Sequence, residues 1–331
     1  MPVSADPAPV PAAAAVRGAR SALLPAAAWQ VWGALLIVYV VWGSTYLGIR
    51  IVVETMPAML ALGIRFGLAA VIMGVVLVIR KGPGVLRVTR QQLLGALLIG
   101  TLLLGIGNGG VMLGERDVPS ALTALIIGVI PLVVLVIRRS MGEAIARNQI
   151  IGVTAGLLGL VILVAPLGLS GTVAPLGIVL LLGSTIGWAG GSVMSRVVRL
   201  PPDPFVTTFY EFLAGCLFGF AVAVLTGETS TVQPATWSME SLVALAYLIV
   251  FGSLIAFSAF TWLLQHAPVS RVTTYAYVNP VVAVALGWFV LGETISPTMI
   301  VGATMILASV ALILRLQGPS GEAPEAIPEP A

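Results

Sequence analysis

Arg65 and Glu211 are the two ionisable residues that sit well inside long apolar runs of this chain. A charge at bilayer depth costs about 3 kcal/mol or more, so one kept there marks a ligand path, a proton relay or a buried ion pair. The two stand 146 residues apart, each about eight residues into its run. At 1.5 Å per residue that is about 12 Å of depth. If the runs enter a core about 30 Å thick from opposite faces, the two groups come within about 6 Å of each other in depth. Arg65 suits an anionic group of a substrate and Glu211 a cationic one, so a zwitterion suits both. Glu211 is also the candidate proton-coupling carboxylate. A structural ion pair tying the two runs together is the alternative.

Aromatic residues accompany these charges. Trp42, Tyr46, Trp188, Tyr210, Tyr275 and Tyr277 lie in or near apolar runs. They can stack on a substrate or clamp a cation, or simply pack and anchor at an interface. Ser44, Thr45, Asn108, Ser192 and Asn279 are polar groups in apolar surroundings, suited to a wet pathway or to bonds between helices. Asn108 is flanked by Gly105, Gly107, Gly109 and Gly110. That string matches a dinucleotide fingerprint formally, but no strand precedes it, and we discard that reading. Gly183, Gly187 and Gly191, and again Gly215 and Gly219, have the spacing of close helix contacts. Pro131 and Pro280 remove backbone donors and are candidate kinks or gates. The single histidine, His266, excludes a multi-histidine metal site, and the single cysteine, Cys216, excludes an intrachain disulfide. The sequence implies no cofactor and no bound metal.

The elements that must position these groups follow from composition. Of 331 residues, 59% are hydrophobic and 9% charged, and mean hydropathy is +1.08. Soluble domains carry about a quarter charged residues, so the composition argues against a soluble globular enzyme. The net charge of +3 is scattered between apolar runs, which argues against a nucleic-acid surface. Ten apolar runs are expected to be transmembrane helices: 29–52, 57–79, 91–113, 118–138, 148–166, 173–195, 204–226, 241–264, 269–291 and 295–315. Lipid leaves backbone polar groups no partner but the helix itself, and the runs are too long for barrel strands. Residues 1–28 and 317–331, rich in Ala, Pro and Glu, read as disordered tails. With ten spans, thirteen basic residues from Arg17 to Arg315 fall on one side and only Arg50 and Arg116 on the other. The positive-inside rule then puts both termini in the cytoplasm.

The chain also repeats itself. Trp42 to Arg50 and Trp188 to Arg196 share one spacing, and Pro119 to Pro131 and Pro268 to Pro280 share another. Gly142-Glu143 matches Gly292-Glu293, and Gly152 matches Gly302. Five spans per repeat is an odd number, so the second copy enters the membrane inverted. Inverted repeats are a common plan of secondary transporters.

Trp42-Gly43-Ser44-Thr45-Tyr46, Arg65-Phe66, and Tyr275-Ala276-Tyr277-Val278-Asn279-Pro280 ahead of Leu291-Gly292-Glu293 resemble the EamA family of the drug/metabolite transporter superfamily. The resemblance covers roughly residues 30–315. It implies an all-α membrane protein of ten transmembrane helices, in two inverted five-helix repeats, 29–166 and 173–315, around a central cavity. It also implies export of small metabolites, amino acids or toxic compounds across a bacterial cytoplasmic membrane. The cavity would draw on Trp42, Ser44, Tyr46, Arg65, Asn108, Trp188, Tyr210, Glu211, Tyr275, Tyr277 and Asn279. The expected partners are membrane lipid, a small-molecule substrate and, as a coupling ion, the proton. The oligomeric state stays open, with a monomer compatible. An intramembrane enzyme lacks a catalytic set at depth, and a passive channel lacks charge rings or a filter loop. No phosphate-binding G-x-x-x-x-G-K-[ST] loop exists.

Overall fold

A computed structural model describes residues 26–118, 120–167, 174–230, 232–291 and 295–315. Nearly all of both expected tails, and the Pro119 and Gly292-Glu293 landmarks of the repeat, lie outside the described residues. All regular structure among the described residues is helical. Seven helices are long and apolar enough to cross a membrane: α1 (Ala28–Thr55), α2 (Ala58–Lys81), α3 (Arg90–Gly114), α6 (Arg147–Val164), α7 (Pro175–Met194), α8 (Pro204–Leu225) and α9 (Met239–His266). Between and after them come α4 (Ser120–Ile127), α5 (Ile130–Ser140), α10 (Val269–Val272), α11 (Tyr275–Leu291) and α12 (Pro297–Arg315).

Helix ends fall where the sequence offers polar caps. Thr89 and Gln92 form a capping box at the start of α3. Asp203 caps α8 ahead of Pro204, and Ser238 caps α9. Each supplies an acceptor to amides that have no partner within the helix. Large apolar side chains such as Leu47, Val71, Ile79, Leu176, Leu217 and Leu225 remain exposed around the bundle. A belt of this kind is the surface that lipid covers.

Two expected spans are not continuous. Residues 118–138 were expected as one run, but the helix stops after Ile127 and restarts at Ile130. Pro131 explains this: its ring clashes with the carbonyl four residues back, that of Ile127, so it opens α5 instead of kinking a longer helix. The run 269–291 likewise divides into α10 and α11 at Thr273–Thr274. Pro280 lies inside α11, so the two prolines occupy different helical settings despite their matched spacing.

The packing interleaves the two halves of the chain. α2 lies along α8, and α6 lies along α12. α1 packs on both α9 and α11, while α7 packs on both α3 and α5. Close approach is obtained at glycine. A Cβ on Gly219 would lie 2.6 Å from the backbone nitrogen of Gly63, so α8 and α2 touch backbone to backbone there. Gly187 and Gly191 seat Ile106 and Leu103, whereas Gly183 faces open space and takes no part in the contact its spacing suggested.

Polar groups gather at two ends. At one, Lys81 pairs with Asp203, Arg138 with Glu143, and Arg199 with Gln91, while Arg196 donates to the Ala267 carbonyl. At the other, Glu228 accepts from the Met59 and Leu60 amides at the start of α2, and Thr55 bonds Ser241.

Gly219→Leu is expected to destabilise the protein in detergent by about 1–3 kcal/mol through overpacking against α2. Gly183→Ala is expected to leave the melting temperature unchanged or raise it. Thermal unfolding of the two variants side by side checks both.

Candidate functional site

The site is built on two π-helical segments. In α3 the π-segment is Thr101–Asn108, and in α9 it is Leu248–Phe257. Their starts are 147 residues apart (101 against 248), inside the range of offsets of the sequence repeat. A π-turn loosens the helical ladder and is frequent at functional sites. Side chains from the facing helices bond carbonyls within these segments. The Trp42 Nε1–H of α1 donates to the Gly252 carbonyl at 3.1 Å. The Ser184 hydroxyl of α7 donates to the Gly107 carbonyl at 2.5 Å.

Arg65 of α2 points between the two segments. Its Nε donates to Ser253 Oγ at 2.9 Å and its Nη1 to Asn108 Oδ1 at 3.4 Å. The guanidinium lies 4.9 Å from the ring centroid of Phe66, which stacks on Phe212. Gly252 makes room: a Cβ there would stand 3.1 Å from Nη2. Arg65 is 3% exposed. Among the described residues no carboxylate comes within salt-bridge distance of it.

Arg65 lines a cavity with about 580 Å³ of empty space, part of it open to solvent. Trp42, Tyr46, Asn108, Trp188, Tyr275 and Asn279 also line it, and sequence reasoning had singled out each of them. Thr45, Phe66, Ser184 and Phe257 complete its polar and aromatic wall. Trp42 forms the hub of an aromatic cluster: Tyr275 meets it edge-on at 4.9 Å, Trp188 edge-on at 5.4 Å, and Phe260 at 5.0 Å. Edge-to-face pairs of this kind contribute about 0.5–1.5 kcal/mol each beyond their buried area. From this floor the cavity runs toward Ile49 and Val111, near the C-terminal ends of α1 and α3. Asn279, with its amide oriented to satisfy both ends, donates to the carbonyls of Tyr275 and Tyr39 at 3.1 and 3.2 Å. It thereby ties α11 to α1 beside the cavity.

Four other candidates lie elsewhere. Glu211 is buried between α8 and its neighbours and accepts from Thr261 of α9 at 3.1 Å. It forms no ion pair with Arg65 among the described residues. The near-equal depth of the two groups does not bring them together, because each is held by a different segment of α9. Ser44 bonds Val41 and the Tyr247 hydroxyl. It is two residues past Trp42, hence on another face of α1. Tyr277 is turned into the α6–α12 side, where its hydroxyl donates to the Val153 carbonyl at 2.9 Å. Tyr210 donates to the Leu86 carbonyl beyond the end of α2. His266 stacks on Trp262 at 4.1 Å, away from the cavity.

One group escaped sequence reasoning. Glu115, next to Arg116, reads as part of a charged loop, yet it is 1% exposed. Neither of its carboxyl oxygens meets a hydrogen-bond partner. Arg50 donates to its backbone carbonyl at 2.7 Å. Burial pushes its pKa up to about 8, against the opposing pull of Arg50.

The chain matches the EamA-like transporter family over residues 29–165 and 175–315. It is 36% identical over 286 residues to the uncharacterized inner membrane transporter YedA of Escherichia coli, covering 86% of this chain and 90% of that one. It is 25% identical to a probable amino-acid metabolite efflux pump of Salmonella typhimurium, covering 83% of this chain and 91% of that one. A solved crystal structure shares its fold with a TM-score of 0.68 at 19% identity, covering 87% of this chain and 96% of that one.

Glu115 carries a pH signature. Its native pKa lies above the ordinary carboxylate value, so between the two the native state holds a proton that the unfolded state has released. Stability therefore falls as pH rises through this interval, toward about 8. Glu115→Gln is expected to flatten that part of the melting-temperature profile between about pH 5 and 8, as read by thermal unfolding across a buffer series.

Proposed function

We propose that this chain, which belongs to the EamA-like transporter family, is a secondary active transporter that exports small metabolites across a bacterial cytoplasmic membrane by alternating access. Its substrates are amino acids or related zwitterionic or amphipathic compounds, with drugs as further candidates. In this reading ten spans form two inverted repeats, 29–166 and 173–315, with both termini in the cytoplasm. The paired halves α4 with α5 and α10 with α11 then count as the fourth and ninth spans. The cross-half contacts support it: α1 on α9 and α11 is the counterpart of α7 on α3 and α5, as a two-fold relation requires. The segregation of basic residues supports the orientation.

The observation that carries the reading is the cavity itself. A buried guanidinium faces a space walled by aromatic rings, with the Trp42 cluster along one wall. Such a site is concave and largely apolar, with few convergent polar groups, as small-molecule sites are. With the basic end in the cytoplasm, the aromatic floor is the inner gate and the cavity belongs to the outward-facing state. Arg65, Asn108, Tyr46, Tyr275, Trp42 and Trp188 are the proposed substrate contacts. Glu211, outside the cavity and hydrogen-bonded to Thr261 beside the π-segment of α9, is the proposed proton-coupling group. The transport names of the relatives support a carrier over an enzyme.

Counterflow in sealed proteoliposomes with a pooled metabolite library tests this. Saturable exchange is expected; unsaturable flux would make the chain a channel, and modification of a compound without flux an enzyme. Arg65→Gln is expected to lower exchange at least ~10-fold, the loss of one charge-assisted contact. Glu211→Gln is expected to abolish proton-driven transport while expression and melting temperature stay unchanged. Loss of folding instead would assign Glu211 a purely structural role.

A further inference from the structure

We infer that the cavity selects organic monoanions: a single carboxylate or other singly charged oxyanion on an aromatic or apolar body, with no requirement for an ammonium group. The inference rests on the transporter reading and, within its substrate range, favours the amphipathic acids over the zwitterions.

Three observations carry it. First, Arg65 is a buried cation without a carboxylate partner among the described residues. Its neighbours Ser253 and Asn108 take up two of its five N–H groups. A buried charge is stable only when paired, and the fork of a guanidinium matches an oxyanion in two-point geometry. Second, two buried donors of lining residues lack an acceptor. Trp188 Nε1–H, which can only donate, and the Tyr275 hydroxyl are buried without partners, and both residues line the cavity with Arg65. Unmatched donors ask for an acceptor. Third, among the described residues no acidic side chain lines the cavity. Glu211 is bound to Thr261 outside it, and Glu115, whose backbone carbonyl holds Arg50, comes within electrostatic range of the wall at Tyr46 without lining the cavity. An ammonium would find only neutral groups and ring faces there, beside a guanidinium that repels it. One cation also limits the ligand to one negative charge, since a phosphate monoester carries about −1.5 to −2 near neutral pH. The Trp42, Trp188, Phe66 and Phe257 rings supply the surface for the ligand's body.

The test uses the purified full chain in detergent and titrates thermal stabilisation by matched probes on two bodies. The phenyl set is 3-phenylpropionate, 3-phenylpropanamide, phenethylamine, L-phenylalanine and phenyl phosphate. The indole set is indole-3-propionate, its amide, tryptamine and L-tryptophan. The acids are expected to stabilise at concentrations at least tenfold below their amides. The amino acids should bind no tighter than the acids, phenyl phosphate should bind more weakly than 3-phenylpropionate, and the amines should give no shift. Arg65→Gln should erase the difference between acid and amide, and Arg65→Lys should restore part of it. Tighter binding of an amine, amino acid or phosphate, an acid preference that persists in Arg65→Gln, or no shift from either acid would each overturn the inference. Should Arg65→Gln not fold, the wild-type rank order still decides. Counterflow separates the two readings. Saturable exchange of amines or zwitterions, with the acids excluded, leaves the carrier and removes the monoanion. Acid binding without saturable exchange of any probe leaves the anion site and removes the carrier.

Discussion

A guanidinium buried without a counter-ion is the constraint that organises the centre of this protein. In an apolar bundle Arg65 cannot rely on water, and no described carboxylate is close enough to neutralise it. What holds it is a set of neutral acceptors and a ring face: Ser253, Asn108 and Phe66. Each of these needs an exact seat. Ser253 and Asn108 come from π-helical segments in two different helices, and Gly252 keeps the space for Nη2 open. The departures from α-helical geometry are thus concentrated where the charge is.

The same two segments explain why the aromatic floor forms beside Arg65. The Gly252 carbonyl anchors the Trp42 indole, and Trp42 in turn seats Tyr275 and Trp188. Trp188 also rests on Gly107 of the first π-segment, where a Cβ would stand 2.5 Å from its ring. One helix irregularity therefore holds the cation and a ring at once. Carbonyl bonds from different positions of the two repeats, Trp42 to Gly252 and Ser184 to Gly107, join α1 to α9 and α7 to α3. The two halves use similar scaffolding to present different side chains.

The helical character, the membrane-crossing runs and the family were readable from the sequence because they rest on properties that add along the chain. Apolar length, scarcity of charge and a string of family residues do not depend on which way any one side chain points. The cavity depends on that direction, and there residue type alone misleads. Trp42 and Ser44 are two positions apart, as are Tyr275 and Tyr277, and a helix turns about 200° over two residues. The first of each pair lines the cavity, while the second bonds into a neighbouring helix. The break before Pro131 was hidden for a related reason: the apolar run continues through it, and only the backbone reports the interruption. The break before Tyr275 had a signal in Ser270, Arg271, Thr273 and Thr274, which interrupt the apolar run. Glu115 was missed because a charged neighbour made it look solvated.

The unequal fates of Arg65 and Glu211 show what a repeat does and does not conserve. Both sit at corresponding places, on α2 and α8, helices that lie along each other. Backbone placement is shared, but the surroundings are not. Around Glu211, α3 comes so close that a Cβ on Gly100 would lie 2.6 Å from the Glu211 backbone. The carboxylate there accepts from Thr261. Around Arg65 the corresponding space is opened by a π-turn and lined with donors that lack acceptors. Matched positions in the two halves thus place ionisable groups of opposite sign in different surroundings. The difference resides in side chains and in close glycine contacts, and it extends to the helices themselves, where Pro131 opens α5 while Pro280 lies inside α11.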